Sequence, residues 1–266
     1  MLSESCHSSS IAILFHLYFA LDWWHATAGT VGIGVGNFRQ SNSPALDPTW
    51  RFRYNTLVMY DDVRHALALP RPGRAAQMRM APRPRLGDVF PLPPELHPKE
   101  AGVLILLYPC KDDLHFFLTR RADTVEMHKG QISLPGGAQE PGESLAQTAL
   151  REAREELGIP DAAIEMLGEA LTPLYIPVSG FRATPFVAFT PTRPEARAEP
   201  GEVIEIIEPS LAWIVDEKNI VEEAWEIRGY PAIVPYFAIN GHKVWGATAA
   251  ILSEFREMLR AVARGN

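Results

Sequence analysis

Residues Gly136–Gly158 read GGAQEPGESLAQTALREAREELG, and the fold of this stretch decides how the rest of the chain is read. Pro141-Gly142 supply a turn, Ser144 is a helix N-cap, and Gln147 stands where a capping-box partner belongs. Gly158 occupies the position of a left-handed terminating residue, and Pro160 blocks continuation. The spacing therefore predicts a helix over 145–157. At 100° per residue, Ala146, Leu150, Ala153 and Leu157 form one apolar stripe that is expected to face the core. Glu152, Glu155 and Glu156 fall within about 100° of one another on the opposite side. Carboxylates that close raise one another's pKa unless a cation compensates. Taken alone, they are either a solvated acidic face, partly neutralised by Arg151 and Arg154, or oxygen ligands for a hard divalent cation that also binds phosphate.

Outward from this helix, the chain from Ala101 has the pattern of an α/β domain. AGVLILLYP (Ala101–Pro109) is a buried-strand run, and LHFFLTRR (Leu114–Arg121) is expected to pair with it across a hairpin turn at Cys110–Asp113. EMLGEALTPLYIP, FRATPFVAFTP and EVIEIIEPSLAWI all read as strand-like. Two more strands are expected around Asn240-Gly241, with a closing helix from about Thr248. Strands outnumber helices, so the expected architecture is a mixed sheet packed by two helices, not a regular βαβ array.

Upstream, residues 51–100 form an N-terminal segment ahead of the 101–266 domain. YDDVRHALAL is a short amphipathic helix. PRPGRAAQMRMAPRPR and FPLPPELHPKE read as an extended arm wrapped on a domain or as a linker, not as an independent fold. Residues 1–50 form a leader of unassigned role. Its apolar run Ile11–Trp24 is broken by His16 and Asp22 and is shorter than the roughly 20 residues a spanning helix needs. The first Lys or Arg is Arg39, so the positive start of a secretory signal is missing. No firm membrane association is expected.

Composition fits a globular protein, with 47% hydrophobic and 21% charged residues. A net charge of −7 argues against nucleic acid as a partner. Cys6 and Cys110 are the two cysteines, too few for a disulfide framework or a cysteine zinc site. The C-terminal Ala-Arg-Gly-Asn does not resemble a peroxisomal address, and a cytoplasmic location is expected.

The fixed positions settle the choice about the glutamates. Gly137, five residues, Glu143, seven residues, Arg151-Glu152, then Glu155-Glu156, one residue and Gly158-Ile159 together resemble the Nudix box. The one soft departure is Ala153, where the pattern usually carries a bulkier aliphatic residue. The resemblance implies an α/β/α sandwich and a pyrophosphohydrolase that uses Mg²⁺ or Mn²⁺. Glu152, Glu155 and Glu156 would be the metal ligands, Arg151 would orient them through Glu143, and Gly136-Gly137 would bring backbone to metal or phosphate.

Ahead of the box, FLTRRADTVEMHKGQISLPGG (Phe117–Gly137) is similar to the second signature of the coenzyme A pyrophosphatase branch of that family. Leu118, Thr119, Arg121, Ala122, Gly130, Pro135, Gly136 and Gly137 match, whereas Glu126 replaces an expected Arg and Leu134 an expected Phe. Arg121 is a candidate substrate-binding residue. Lys129, with His128, could stand in for the missing Arg. Downstream, Glu202 or Glu205 is a candidate further ligand or base, and Trp245 and Phe181 are aromatics that either stack on adenine or belong to the core.

The resemblance implies hydrolysis of coenzyme A or acyl-CoA to 4′-phosphopantetheine, or its acyl form, and adenosine 3′,5′-bisphosphate. Glu126 favours an alternative, a pyrophosphatase for ADP-ribose or another nucleoside diphosphate derivative. A catalytically silent ligand-binding regulator is the third reading, disfavoured because the box glutamates are all present. A homodimer is left open, since dimers are common among such enzymes.

Overall fold

The computed structural model describes residues 58–84, 97–121 and 131–265, apart from 178 and 228. The leader, Ala122, Glu126, His128, Lys129 and Gly130 lie outside the described residues.

The run read as a buried strand is β1 (Lys99–Cys110), buried without interruption from Ala101 to Tyr108. Burial on both faces requires partners on both sides, and β1 has them. One edge pairs antiparallel with β2 (Asp113–Phe116) and, nearer its start, with β5 (Gly136–Ala138); the other runs parallel to β8 (Phe181–Phe189). β6 (Glu165–Met166) and β7 (Leu174–Ile176) close the far edge of β8. The β1–β2 turn is the expected hairpin, with Lys111 at φ 55°.

The strand expected over Leu114–Arg121 is broken at Phe117. Phe116, Phe117 and Leu118 are all fully buried, which alternation within a single strand facing one core cannot provide. The chain crosses between sheets instead. β3 (Leu118–Arg121) joins β4 (Ile132–Ser133) and β9 (Val203–Ile207) in a separate three-stranded sheet. A third sheet consists of β10 (Ile220–Ile227), β11 (Tyr230–Ile239) and β12 (His242–Val244). Asn240 and Gly241 join the last two strands, both with positive φ (47° and 84°), the signature of a type I′ turn.

Five α-helices complete the described residues: α1 (Tyr60–Ala68), α2 (Arg74–Gln77), α3 (Leu145–Leu157), α4 (Leu211–Val215) and α5 (Gly246–Gly265). One sequence expectation is corrected here. The strand predicted through Ser210–Ile214 is instead α4, because Pro209 ends β9 and the Ser210 hydroxyl caps the Trp213 N–H at 3.2 Å. The Arg-rich stretch after Pro72 contains α2 and a 3₁₀ turn over Met78–Met80. It is seated on α5, with the Ser253 hydroxyl donating to Ala76 O at 2.8 Å.

The result is an α/β/α sandwich with a mixed central sheet. Alternation along β1 divides the core. Ala101, Val103, Ile105 and Leu107 enter the larger cluster with residues of α1 and α5, while Leu104, Leu106 and Tyr108 pack against Ala149, Ala153 and Leu157 of α3. α3 sits unusually close to the sheet at Gly102, where a Cβ would stand 2.2 Å from Leu145 O and 2.8 Å from Ala149 N. Among the described residues, no helix is long and apolar enough to cross a membrane.

Candidate active site

α3 begins and ends as its sequence dictates. The Ser144 Oγ accepts from Gln147 N at 3.3 Å, Gln147 Oε1 accepts from Ser144 N at 2.8 Å, and Gly158 is left-handed at φ 68°. The stripe it buries, however, is rotated from the predicted one. Thr148, Ala149, Glu152, Ala153, Glu156 and Leu157 are buried, while Ala146 and Leu150 are only half-buried. Glu152 and Glu156 therefore do not face away from the core. They point into the seam between α3, β5 and β3, at 2% and 3% exposure. Glycine provides the room, since a Cβ on Gly137 would lie 2.2 Å from Glu152 Oε1.

One guanidinium organises this end of the seam. Arg151 donates to Glu143 through Nε (3.2 Å) and Nη2 (3.1 Å), to Glu152 Oε1 at 2.7 Å, to Glu155 Oε2 at 2.9 Å and to the Ala138 carbonyl at 2.9 Å. Burial alone would push the Glu143 carboxyl up. Arg151, the Glu140 N–H and the Thr148 hydroxyl outweigh it and hold the group below the ordinary range. The Arg151 charge is likewise fixed by its three carboxylates against a burial penalty.

The two inward glutamates are different. Burial pushes Glu152 up to about 7, with Arg151 opposing and the charges of Glu155 and Glu202 adding to the rise. Its Oε2 is buried and has no hydrogen-bond partner. Glu156 is raised to about 8, first by burial and then by Glu152. Arg121 and a 3.5 Å contact from the Thr119 hydroxyl act against that rise, and Glu202 adds to it. Thr119 and Arg121 lie two apart on β3, and both bear on Glu156. Glu202 reaches the seam because its loop is tied to the end of α3, with Arg197 N donating to Leu157 O and Glu199 N to Glu156 O.

The structure thus brings Gly137, Arg151, Glu152, Glu156 and Arg121 together and holds Glu155 at the rim, 44% exposed on Arg151. Gly136 packs on β1, where a Cβ would meet Gly102 O and Val103 Cγ1 at 2.6 Å. Of the two downstream glutamates, Glu202 belongs to the seam. Glu205 is turned to Arg120 and His242 instead. Thr148 and the Ala138 carbonyl were not anticipated, because their roles depend on contacts to Glu143 and Arg151 that spacing does not reveal.

Among the described residues, no three His, Cys, Asp or Glu side chains form a ready-made ligating group; Arg151 holds Glu155 outward. The donor set nevertheless fits a hard divalent cation. It is all oxygen, it includes an orphaned buried carboxylate oxygen, and it holds two acids that burial disfavours as anions unless positive charge is added.

The NUDIX domain model matches residues 98–225. The chain is 32% identical over 186 residues to the uncharacterized Nudix hydrolase NudL of Photorhabdus laumondii, covering 69% of this chain and 94% of that one. The chain belongs to the Nudix family. The corresponding Nudix hydrolase of Salmonella paratyphi B is 34% identical over 170 residues, covering 60% and 82%. Among solved structures, the MutT protein of Methanosarcina mazei aligns at 20% identity and a TM-score of 0.40, covering 65% of this chain and 99% of that one. As a Nudix hydrolase the chain is a pyrophosphohydrolase, and Nudix hydrolases generally use divalent metal.

Proposed function

We propose that this Nudix hydrolase cleaves the pyrophosphate of coenzyme A or an acyl-CoA, releasing 4′-phosphopantetheine or its acyl form and adenosine 3′,5′-bisphosphate. The observation that carries the reading is the contact of Thr119 and Arg121 with the field of Glu156. Thr119 and Arg121 belong to the stretch that resembles the coenzyme A branch, so residues that would select the substrate sit beside those that would cleave it.

Glu152 and Glu156 would hold Mg²⁺ or Mn²⁺, with Glu155 and Glu202 as further carboxylates at the rim. A metal held there would supply positive charge against the pyrophosphate oxygens and would acidify a water. The remaining work falls to the chain. Arg151 fixes Glu152 and Glu155 in place, and Glu143 fixes Arg151. Gly137 leaves space for the Glu152 carboxylate and for a phosphate against bare backbone. Arg121 would pair with a phosphate oxygen once Glu156 is engaged. The water oxygen forms the new bond to phosphorus, the bridging P–O bond breaks, and the water proton passes to a carboxylate. We assign that proton to Glu202, which lies on a loop rather than on the crowded helix.

Hydrolysis of coenzyme A with Mg²⁺ and then Mn²⁺, with products resolved by mass, tests the reading. Both named products are expected, with slower turnover of dephospho-CoA and ADP-ribose. Cleavage of ADP-ribose without coenzyme A would replace the coenzyme A reading with a nucleoside diphosphate sugar, the direction in which Glu126 leans.

A further inference from the structure

Arg151 holds Glu152 and Glu155, and Glu143 holds Arg151, but Glu143 is not on the helix that carries the other three. It precedes the Ser144 cap of α3, just after the Gly142 turn. Its side chain is nonetheless only 15% exposed. Oε1 accepts from Glu140 N at 2.7 Å, from Thr148 Oγ1 at 2.8 Å and from Arg151 Nη2 at 3.1 Å, and Oε2 accepts from Arg151 Nε at 3.2 Å. These donors do different things. The Arg151 fork fixes the guanidinium and the carboxylate relative to each other, but it reaches them on a long side chain. The Glu140 N–H belongs to the same turn as Glu143. Thr148 reaches Glu143 from the start of α3 through a single rotatable bond.

Thr148 is itself firmly held. It is fully buried, and a β-branched side chain is stiff in a helix. It sits against the bare backbone of β1, since a Cβ on Gly102 would stand 3.0 Å from Thr148 Cβ. Its hydroxyl points back along the helix and lies 3.2 Å from Ser144 O. The one hydroxyl hydrogen belongs to the shorter, charge-assisted contact with Glu143. Arg151, Glu152 and Glu155 follow Thr148 by three, four and seven residues, the spacing of one helix face. A line of contacts therefore runs from β1 through Thr148, Glu143 and Arg151 to Glu152 Oε1 at 2.7 Å and Glu155 Oε2 at 2.9 Å.

We propose that Thr148 is a positioning residue for the hydrolysis. Its hydroxyl anchors Glu143 to α3 and, through Glu143 and Arg151, sets the orientation of the Glu152 and Glu155 carboxylates. The consequence for turnover and metal rests on those glutamates holding the metal, as proposed above; the anchoring of Glu143 does not.

Thr148→Ala and Thr148→Ser differ from each other by the hydroxyl alone. Alanine is also the stronger helix former, so a weaker T148A enzyme does not reflect a weaker α3. Both variants and the parent are compared in steady-state hydrolysis of coenzyme A and of ADP-ribose, and in Mn²⁺ binding followed by the paramagnetic resonance of free Mn²⁺. T148A is expected to lose about 5–10-fold in kcat with KM within about twofold, the effect of one lost hydrogen bond. Its Mn²⁺ affinity should fall about threefold, and T148S should stay within about twofold of the parent in every quantity. A threonine that only fills space would leave T148A and T148S alike in kcat per folded molecule and in Mn²⁺ affinity, and that result would overturn the proposal. A second measurement needs neither metal nor substrate. Melting temperatures in chelator for the parent, T148A, R151K and the double variant form a cycle. Because both side chains act on Glu143, T148A should lower the melting temperature less in the R151K background than in the parent. Equal shifts in the two backgrounds would overturn the anchoring. If the parent neither binds Mn²⁺ nor turns over either compound, the metal reading fails, and the cycle alone decides whether Thr148 works through Glu143 on Arg151.

Discussion

Gly137 and the Glu152 carboxylate are packed so closely that no side chain fits between them: a Cβ on Gly137 would stand 2.2 Å from Oε1 and 2.4 Å from Cδ. Gly137→Ala must therefore displace Glu152. A displacement near 1 Å at a reacting centre costs on the order of 100-fold in rate. G137A is expected to lose about that much kcat while remaining folded, and its titration with Mn²⁺ should shift to higher concentration. Near-parental kcat would show that Glu152 does not need its present position.

Arg151 is one cation shared by Glu143, Glu152 and Glu155. Lysine has neither the forked donors nor the reach to serve all three. Arg151→Lys should therefore behave almost as Arg151→Gln does, each losing about 100-fold or more in kcat. R151Q should also lower stability by about 3 kcal/mol, since it strands partly buried carboxylates. Urea unfolding and steady-state kinetics on both variants check this. A lysine variant close to parental activity would mean that positive charge alone, without geometry, is what Arg151 supplies.

The box was legible because its chemistry is local. Ser144, Gln147 and Gly158 fix the helix ends within a few residues, and a helix fixes the angles among Glu152, Glu155 and Glu156. Which of these face inward was not legible, because it depends on how far α3 rolls on β1. That roll is set by Gly102, more than forty residues upstream, where bare backbone lets Leu145 and Ala149 settle. The predicted apolar stripe through Ala146 and Leu150 missed it. A helical wheel carries apolar content by position but not the cleft between strands that receives Glu152 and Glu156. The same limit hid β10, whose Glu222, Glu223 and Glu226 look like loop residues until β11 gives the strand a partner. It also hid the choice between Glu202 and Glu205, which is made by a loop tied to the end of α3.

Gly102 yields its own test. Gly102→Ala would place a methyl group 2.2 Å from Leu145 O and 2.8 Å from Ala149 N, both backbone atoms that cannot rotate away. α3 must lift at its start. The variant is expected to lose about 1–3 kcal/mol, the usual cost of overpacking a core, and activity should fall with it because Glu152 and Glu156 ride on the same helix. Thermal melting with and without Mn²⁺ measures both effects. A G102A protein of parental stability would contradict the close seating of α3.

Glu254 tests the role of the arm. It is fully buried on α5, accepting from Gln77 Nε2 at 2.9 Å, Thr172 Oγ1 at 2.6 Å and Thr172 N at 3.3 Å. Glu254→Ala leaves those donors unsatisfied and should cost about 3 kcal/mol. Glu254→Gln keeps the shape and an acceptor and should cost about 1 kcal/mol. Neither side chain bears on the seam, so kcat per folded molecule is expected to be unchanged. A fall in kcat without loss of stability would link the arm to catalysis.

The dependence of stability on pH should invert the usual behaviour of carboxylates. Glu152 and Glu156 have folded-state values of about 7 and about 8, above an ordinary value near 4.5. Between those limits the folded chain binds more protons than the unfolded one, so stability falls as pH rises. The contribution of the protonated pair is complete below about 4.5 and is lost as pH climbs through about 7 and 8. With chelator present, the melting temperature should therefore decline from pH 5 to pH 8.5. Saturating Mn²⁺ should oppose the decline, because bound metal favours the ionised pair and adds stability by mass action. The gap between the two melting curves should then widen with pH. Replacing both residues with glutamine, E152Q with E156Q, should flatten the chelated curve and abolish the gap. A gap that stays constant across this range would mean that the metal does not bind through this pair.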